Sequence, residues 1–231
     1  MSIVYLIPSL LADDGIETIP PYIIDAIEDC QVVFAENERT ARRFLKKIKK
    51  EIVIDRFEWF TIHNREEMET ANFRQKIKEK KNIAIISEAG CPGVADPGQL
   101  LVSIAQEINC IIKPLVGPNA ILLALMASGL NGQHFEFYGY LPVDSEKRVK
   151  KIKELELDSQ KNNSTKIFIE TPYRNQQLLE AILNNCKPLS RLCIAANLTS
   201  SQEWVKTKSI AQWKKEKPPL NKQPVIFLMQ A

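Results

Sequence analysis

The feature that most narrows the fold is a rhythm, in which short apolar runs rich in β-branched residues alternate with longer stretches of helical periodicity. Ile3–Ile7, Val32–Ala35, Ile52–Asp55 and Ile83–Ile86 read as strands, with Pro21–Asp29, Glu38–Lys50 and Glu66–Lys80 as the helices between them. A helix over Gln99–Ile108 and a strand over Ile111–Pro114 complete a first set. Parallel neighbours need a crossover long enough to hold a helix, so repeated βα units predict an α/β protein with a largely parallel sheet. Pro20 and Pro21 suit a helix start, because the N–H that proline lacks has no partner in the first turn.

The segment "PLVGPNA", Pro114 to Ala120, breaks the rhythm with two prolines and a glycine. It divides the chain into an N-terminal α/β domain, 1–114, and a C-terminal α/β domain, 115–231. Beyond it the pattern resumes. Ala120–Ser128 is a helix of small residues, and Phe135–Tyr140 and Lys166–Glu170 are strands flanking the charged helix Ser145–Gln160. Helix Asn175–Asn184, strand Arg191–Ala195, a strand or turn near Glu203–Thr207, helix Ile210–Lys217 and strand Pro224–Met229 follow. The charged, proline-containing run Lys214–Lys222 reads as a solvated hairpin or loop.

Composition limits the functional classes. Among 231 residues 45% are hydrophobic, enough to fill a core, and no window nears the roughly eighteen consecutive apolar residues of a membrane helix. The start, "MSIVYLIPSLLADDG", has no basic leader region and runs into a strand, which predicts a cytoplasmic protein with no membrane partner. Five cysteines at scattered spacings, no C-x-x-C and only two histidines argue against a disulfide framework or a metal site. A net charge of +3 admits an RNA partner without requiring one.

Four clusters carry the chemistry. In "ISEAGCPGVADPG", Ile86 to Gly98, three of the chain's eight glycines follow a buried strand and precede a helix. That is the carboxyl end of a parallel strand, where open α/β sheets bind ligands. Its glycines let backbone approach a ligand, its prolines stiffen it, and Glu88 and Asp96 flank it. It fits neither of the common phosphate-cradling glycine motifs. The second cluster, "FAENERTARRFLKK", ends a strand in Glu36 and opens a helix with Arg39, while Arg42, Arg43, Lys46 and Lys47 read as a solvated face. Third, "VGPNAILLALMASGL" feeds a helix through Asn119, a residue suited to capping its first N–H groups. Fourth, "FIETPYR" ends a strand in Glu170 and Thr171. His63 and His134 stand apart, and no Ser/His/Asp or Cys/His triad is evident.

In this order the clusters resemble the tetrapyrrole methylase superfamily of S-adenosylmethionine-dependent methyltransferases, in its branch of ribosomal RNA small-subunit ribose 2′-O-methyltransferases. "SEAGCPGVADPG" is similar to that branch's S-D-A-G-x-P-x-x-S-D-P-G, and "AENERTARRFL" to its A-E-D-T-R-x-T-x-x-L-L. "VGPNAILLALMASGL" is similar to P-G-P-S-A-x-x-x-A-L-x-x-S-G-L, "FYGYLP" to F-x-G-F-L-P, and "IETPYR" to Y-E-S-P-H-R. The resemblance implies two α/β domains with a cofactor cleft between them, a homodimer, and S-adenosylmethionine as the methyl donor. It places cofactor binding on Pro8, Glu88, Ala89, Gly90, Val94 and Ala95, and on Asn119, Ala120, Glu170 and Thr171. The departures are local: "SLLADDG" after Pro8 lacks the branch's G-N-x-x-D, Glu88 stands for an aspartate, and Ala196 and Asn197 stand for an arginine and a glutamate.

Displacement at a sulfonium methyl group needs mainly a well-held nucleophile, so positioning and desolvation can supply most of the acceleration. A hydroxyl acceptor must also lose its proton. Glu36 is the candidate catalytic base and Arg39 the group that orients it or the substrate. The function expected is methyl transfer to RNA ribose. The alternatives are a small-molecule, tetrapyrrole-like methylase and a relative that binds S-adenosylmethionine or RNA without catalysis.

Overall fold

Residues Val32–Ala35 and Ile83–Ile86 are buried without interruption, a pattern that a strand shows when both of its faces are covered. They form the middle of a five-stranded sheet in a computed structural model that describes residues 2–63, 65–220 and 222–231. The strands are β1 (Ile3–Ile7), β2 (Val32–Ala35), β3 (Glu58–Thr61), β4 (Ile83–Ile86) and β5 (Ile111–Pro114). Their order is β3-β2-β4-β1-β5 and every pairing is parallel. Alternate side chains go to opposite faces. Tyr5, Ile7, Val33, Ala35, Ala84 and Ile86 pack with helices α1 (Ile23–Glu28) and α2 (Glu38–Ile48). Val4, Val32, Phe34, Ile83 and Ile85 pack with α3 (Glu66–Lys78) and α4 (Gln99–Glu107).

The third strand corrects the sequence reading. Ile52–Asp55 reads as a strand in the sequence, but the chain there passes into a 3-10 turn, Ile54–Arg56, and the strand is Glu58–Thr61. Ile52 supplies its apolar side chain to the core without joining the sheet, and the Trp59 indole N–H donates to Ile54 O at 3.2 Å, bracing the turn. As an edge strand β3 is only half buried, so its apolar signal is weak.

The chain divides into two compact units, Met1–Asn119 and Ala120–Ala231. The proline-rich segment belongs to the first. Leu115 N donates to Leu6 O (3.1 Å) and Val116 N to the Tyr22 hydroxyl (2.6 Å), which fastens the stretch beyond Pro114 to the first sheet.

The second unit has β6 (Phe135–Tyr140), β7 (Thr165–Ile169), β8 (Arg191–Ala196), β9 (Trp204–Ser209) and β10 (Val225–Gln230) in the order β6-β7-β10-β8-β9. Here the largely parallel expectation fails. Only β6 and β7, joined through α6 (Ser145–Asn162), are parallel, while β10 lies antiparallel to both β7 and β8, and β9 antiparallel to β8. The short connection 197–203 cannot hold a crossover helix, so β9 returns beside β8 in the opposite direction. Helix α5 (Ala120–Ser128) covers one face of this sheet. On the other lie α6, α7 (Asn175–Asn185) and α8 (Ile210–Trp213). The last helix stops earlier than expected, because Lys215 N and Glu216 N bond three residues back and Pro218 and Pro219 follow. The run Lys214–Lys222 is mostly exposed loop, with Leu220 buried and Asn221 outside the described residues. Among the described residues no helix is long and apolar enough to cross a membrane.

Phe34 anchors one face of the first sheet, fully buried and stacked on Phe60 at 4.7 Å, with the edge of Phe73 at 5.3 Å. Removing such a ring costs transfer and cavity energy together. Phe34→Ala should lower stability by about 3–5 kcal/mol, read as a lower urea midpoint with an unchanged denaturant slope.

Candidate functional site

In the first sheet β1 and β4 are neighbours, yet the connection from β1 runs to β2 on one side and that from β4 to β5 on the other. Chains that part in this way leave a crevice at the carboxyl ends of the two strands. The loops that follow β1 and β4 are tied together there. Ser9 N donates to Gly90 O at 2.8 Å, Gly90 N donates back to Ser9 O at 3.2 Å, and the Ser9 hydroxyl donates to Ser87 O at 2.7 Å. Gly90 has φ +72°, and a Cβ there would stand 3.2 Å from Leu11 Cδ2 and 3.5 Å from Pro118 O. Gly117 is pressed so closely on Pro8 that a Cβ would fall 2.3 Å from two ring carbons. Asn119 meets the Cys91 thiol with its side chain. Gly90 is thus held by backbone bonds, Pro8 by packing on Gly117 and Asn119 by its side chain, while Glu88, Ala89, Val94 and Ala95 lie exposed along the same loop.

Carboxylates surround that loop. Glu36 follows β2, and its N–H donates to Ile86 O at 2.9 Å, extending the ladder by one residue. Its Oε2 accepts from Glu88 N at 2.9 Å, and Glu88 Oε1 in turn accepts from the Thr40 hydroxyl at 3.1 Å. Burial, with the charges of Glu36 and Glu88 adding to it, pushes the Asp96 carboxyl up to about 7. Asn37 caps α2 by accepting from Arg39 N and Thr40 N. Arg39 is exposed in the first turn of that helix, where the macrodipole disfavours a cation. Its position does nothing for helix stability. Arg42, by contrast, is structural, with Glu38 at 2.6 Å and the Trp59 ring at 5.0 Å.

In the second unit Glu170 follows β7 and is 5% exposed. Its Oε1 accepts from Thr171 N (2.7 Å) and from Arg174 Nε (3.0 Å) and Nη2 (2.6 Å). Its Oε2 is buried and has no hydrogen-bond partner among the described residues. Thr171 and Ala120 are half-buried, Ala120 being the first residue of α5.

Sequence reasoning passed over two residues. Arg174 clamps Glu170, and its spacing of four from a strand-end glutamate was the available signal. His63 lies with Nδ1 3.6 Å from Glu36 Oε1. In the sequence it stands apart because the more apolar run Ile52–Asp55 reads as the strand; with β3 at Glu58–Thr61, His63 falls just past a strand's carboxyl end, beside Glu36.

The family model for tetrapyrrole (corrin/porphyrin) methylases matches residues 15–213. The chain belongs to that family. Relatives include the ribosomal RNA small subunit methyltransferase I of Bacillus subtilis (strain 168), 33% identical over 79% of this chain and 59% of that protein. The proteins of the same name from Vibrio cholerae and Haemophilus influenzae are 27% identical over 98% of the chain and 30% over 74%. The aligned part is 76% of the first and 61% of the second, so the chain spans about three fifths of two of these three relatives. Among solved structures, the methyltransferase CobJ (TM-score 0.63, 16% identity) and the uroporphyrin-III-C-methyltransferase of Thermus thermophilus (TM-score 0.57, 17% identity) share the fold, each over 99% of this chain and 92% of the other.

The second unit has one group that fits a polar ligand: Glu170 Oε2 is a buried acceptor with no hydrogen-bond partner among the described residues, suited to a ligand hydroxyl or amine.

The raised Asp96 carboxyl has a consequence for folding. Its ordinary value is 3.8 and its folded value about 7, so between them the folded protein holds the extra proton. The stabilisation from protonated Asp96 is complete below that window and is lost as pH rises through it. Relative to Asp96→Asn, the wild-type urea midpoint should therefore fall from about pH 4 to about pH 7 and the difference should level off above.

Proposed function

We propose that this chain is an S-adenosylmethionine-dependent methyltransferase acting on a ribose hydroxyl of small-subunit ribosomal RNA. The observation that carries the proposal is the glycine-rich loop tied to Ser9 at the switch between β1 and β4, in a chain of the methylase family whose relatives from Bacillus subtilis and Vibrio cholerae are named for small-subunit ribosomal RNA. In this reading Pro8, Glu88, Ala89, Gly90, Val94, Ala95 and Asn119 of the first unit and Ala120, Glu170 and Thr171 of the second hold the methyl donor. Glu36 and Arg39 serve the acceptor. The protein works in the cytoplasm as a homodimer.

When bound, S-adenosylmethionine supplies an electrophilic methyl group on a positively charged sulfur. The chain's own contribution is to exclude water, fix the acceptor oxygen in line, and take its proton. The carboxylates of Glu36 and Glu88 place negative charge where a cationic ligand is to be held, and exposed Arg39 suits a phosphate of the RNA backbone.

Calorimetric titration of the protein with S-adenosylmethionine should show binding, and Gly90→Val should weaken it by about tenfold or more, about 1.4 kcal/mol, with circular dichroism unchanged. Labelled methyl groups should then enter the ribose of small-subunit ribosomal RNA. Equal binding by the variant would remove the loop from the site. Binding with label in a tetrapyrrole and none in RNA would favour the small-molecule reading, and binding with no transfer to either would favour a non-catalytic relative.

A further inference from the structure

Glu36 is badly placed to touch a large acceptor itself. Its side chain is 11% exposed, one oxygen accepts from Glu88 N, and the other faces His63 Nδ1. His63 has the opposite character, with 57% of its side chain exposed. The buried carboxylate lies behind the ring and the ring faces solvent, so Nε2, on the ring's far edge, is the atom that can reach a polymer. At 3.6 Å the contact between Nδ1 and Oε1 is not yet a hydrogen bond. Catalytic hydrogen bonds are often long before substrate binds and tighten in the complex.

We propose that the proton acceptor for methyl transfer is Nε2 of His63, with Glu36 as the positioning residue that holds the imidazole with its hydrogen on Nδ1. The inference rests on the methyltransferase reading. In the step, the acceptor oxygen forms its bond to the methyl carbon as the carbon–sulfur bond breaks and its electron pair stays on sulfur. The hydroxyl proton passes to Nε2, so the positive charge leaves sulfur and arrives on the ring. Glu36 and Glu88 are the carboxylates that oppose this charge, with Asp96 beside them and Thr40 holding Glu88 in place.

The fixed hydrogen bond to Glu88 N makes one substitution diagnostic. In Glu36→Gln the amide oxygen must stay on the Glu88 N–H, which needs an acceptor, so the amide N–H₂ is left toward His63. A donor facing Nδ1 forces that nitrogen to accept and moves the ring hydrogen to Nε2, which can then no longer take a proton. The chain has two histidines, so nitrogen-15 correlation spectra of the rings, taken at alkaline pH where imidazoles are neutral, are assigned with His134→Gln. His134 lies in the second unit against Asn162 O, and its variant should keep wild-type activity.

Wild-type His63 should carry its hydrogen on Nδ1 and Glu36→Gln should move it to Nε2. Both Glu36→Gln and His63→Gln should lose about 10²–10⁴-fold in methyl transfer to RNA, and His63→Gln should do so while binding S-adenosylmethionine as wild type does. A wild-type ring with its hydrogen on Nε2, a tautomer unchanged by Glu36→Gln, or full turnover in His63→Gln with an active wild type would each overturn the inference alone. Wild-type protein that transfers no methyl group to RNA would instead overturn the reading on which it rests.

Discussion

The pair of backbone hydrogen bonds between Ser9 and Gly90 is the contact on which the site of the first unit depends. Each loop leaves a different strand and heads to a different side of the sheet, so without this tie nothing local would keep them together. The tie is made by main-chain atoms, which is why side-chain identity matters less there than shape. Gly90 must take a left-handed φ beneath Leu11, and Gly117 must leave room for Pro8. Both glycines are required by space rather than by chemistry.

Electrostatics in that unit follows from the same convergence. Parallel strands send all their carboxyl ends to one edge, so Glu36 after β2 and Glu88 after β4 meet although they are far apart in the chain. Desolvation with two neighbouring carboxylates raises Asp96, and this is a cost the fold carries at its ligand-facing edge. Negative charge gathered in this way suits a cationic ligand, and it also suits an imidazole that becomes charged when it accepts a proton. The second unit has its own version on a smaller scale, where Arg174 neutralises one oxygen of Glu170 and the other is buried without a donor among the described residues.

Much of the fold was legible because burial on two faces leaves a strong local mark. β1, β2 and β4, apolar runs bounded by polar or turn-forming residues, could be read to the residue; β5, α5 and β6 could be too, from the turn-forming residues on either side of them. β3 could not. Ile52–Asp55 is the more apolar stretch, yet it turns, and the half-buried edge strand Glu58–Thr61 holds the sheet position. That one misplacement also hid His63, whose meaning depends on which residue ends the strand before it. The antiparallel pairing of β10 was equally invisible, because a buried strand of Val225–Gln230 looks alike in either direction.

By itself, then, the sequence determined the alternation of elements, the glycine-rich loop at a strand's carboxyl end and membership of a methylase family, for these are written in contiguous residues. Tertiary structure decided which polar groups meet: Glu36 with Glu88 and His63, Gly90 with Ser9, and Glu170 Oε2 with no hydrogen-bond partner among the described residues. The reason is physical. Periodicity and turn chemistry act over a few neighbouring residues, whereas the order and direction of strands in a sheet are set by packing the whole core, and only that packing brings distant side chains within reach of one another.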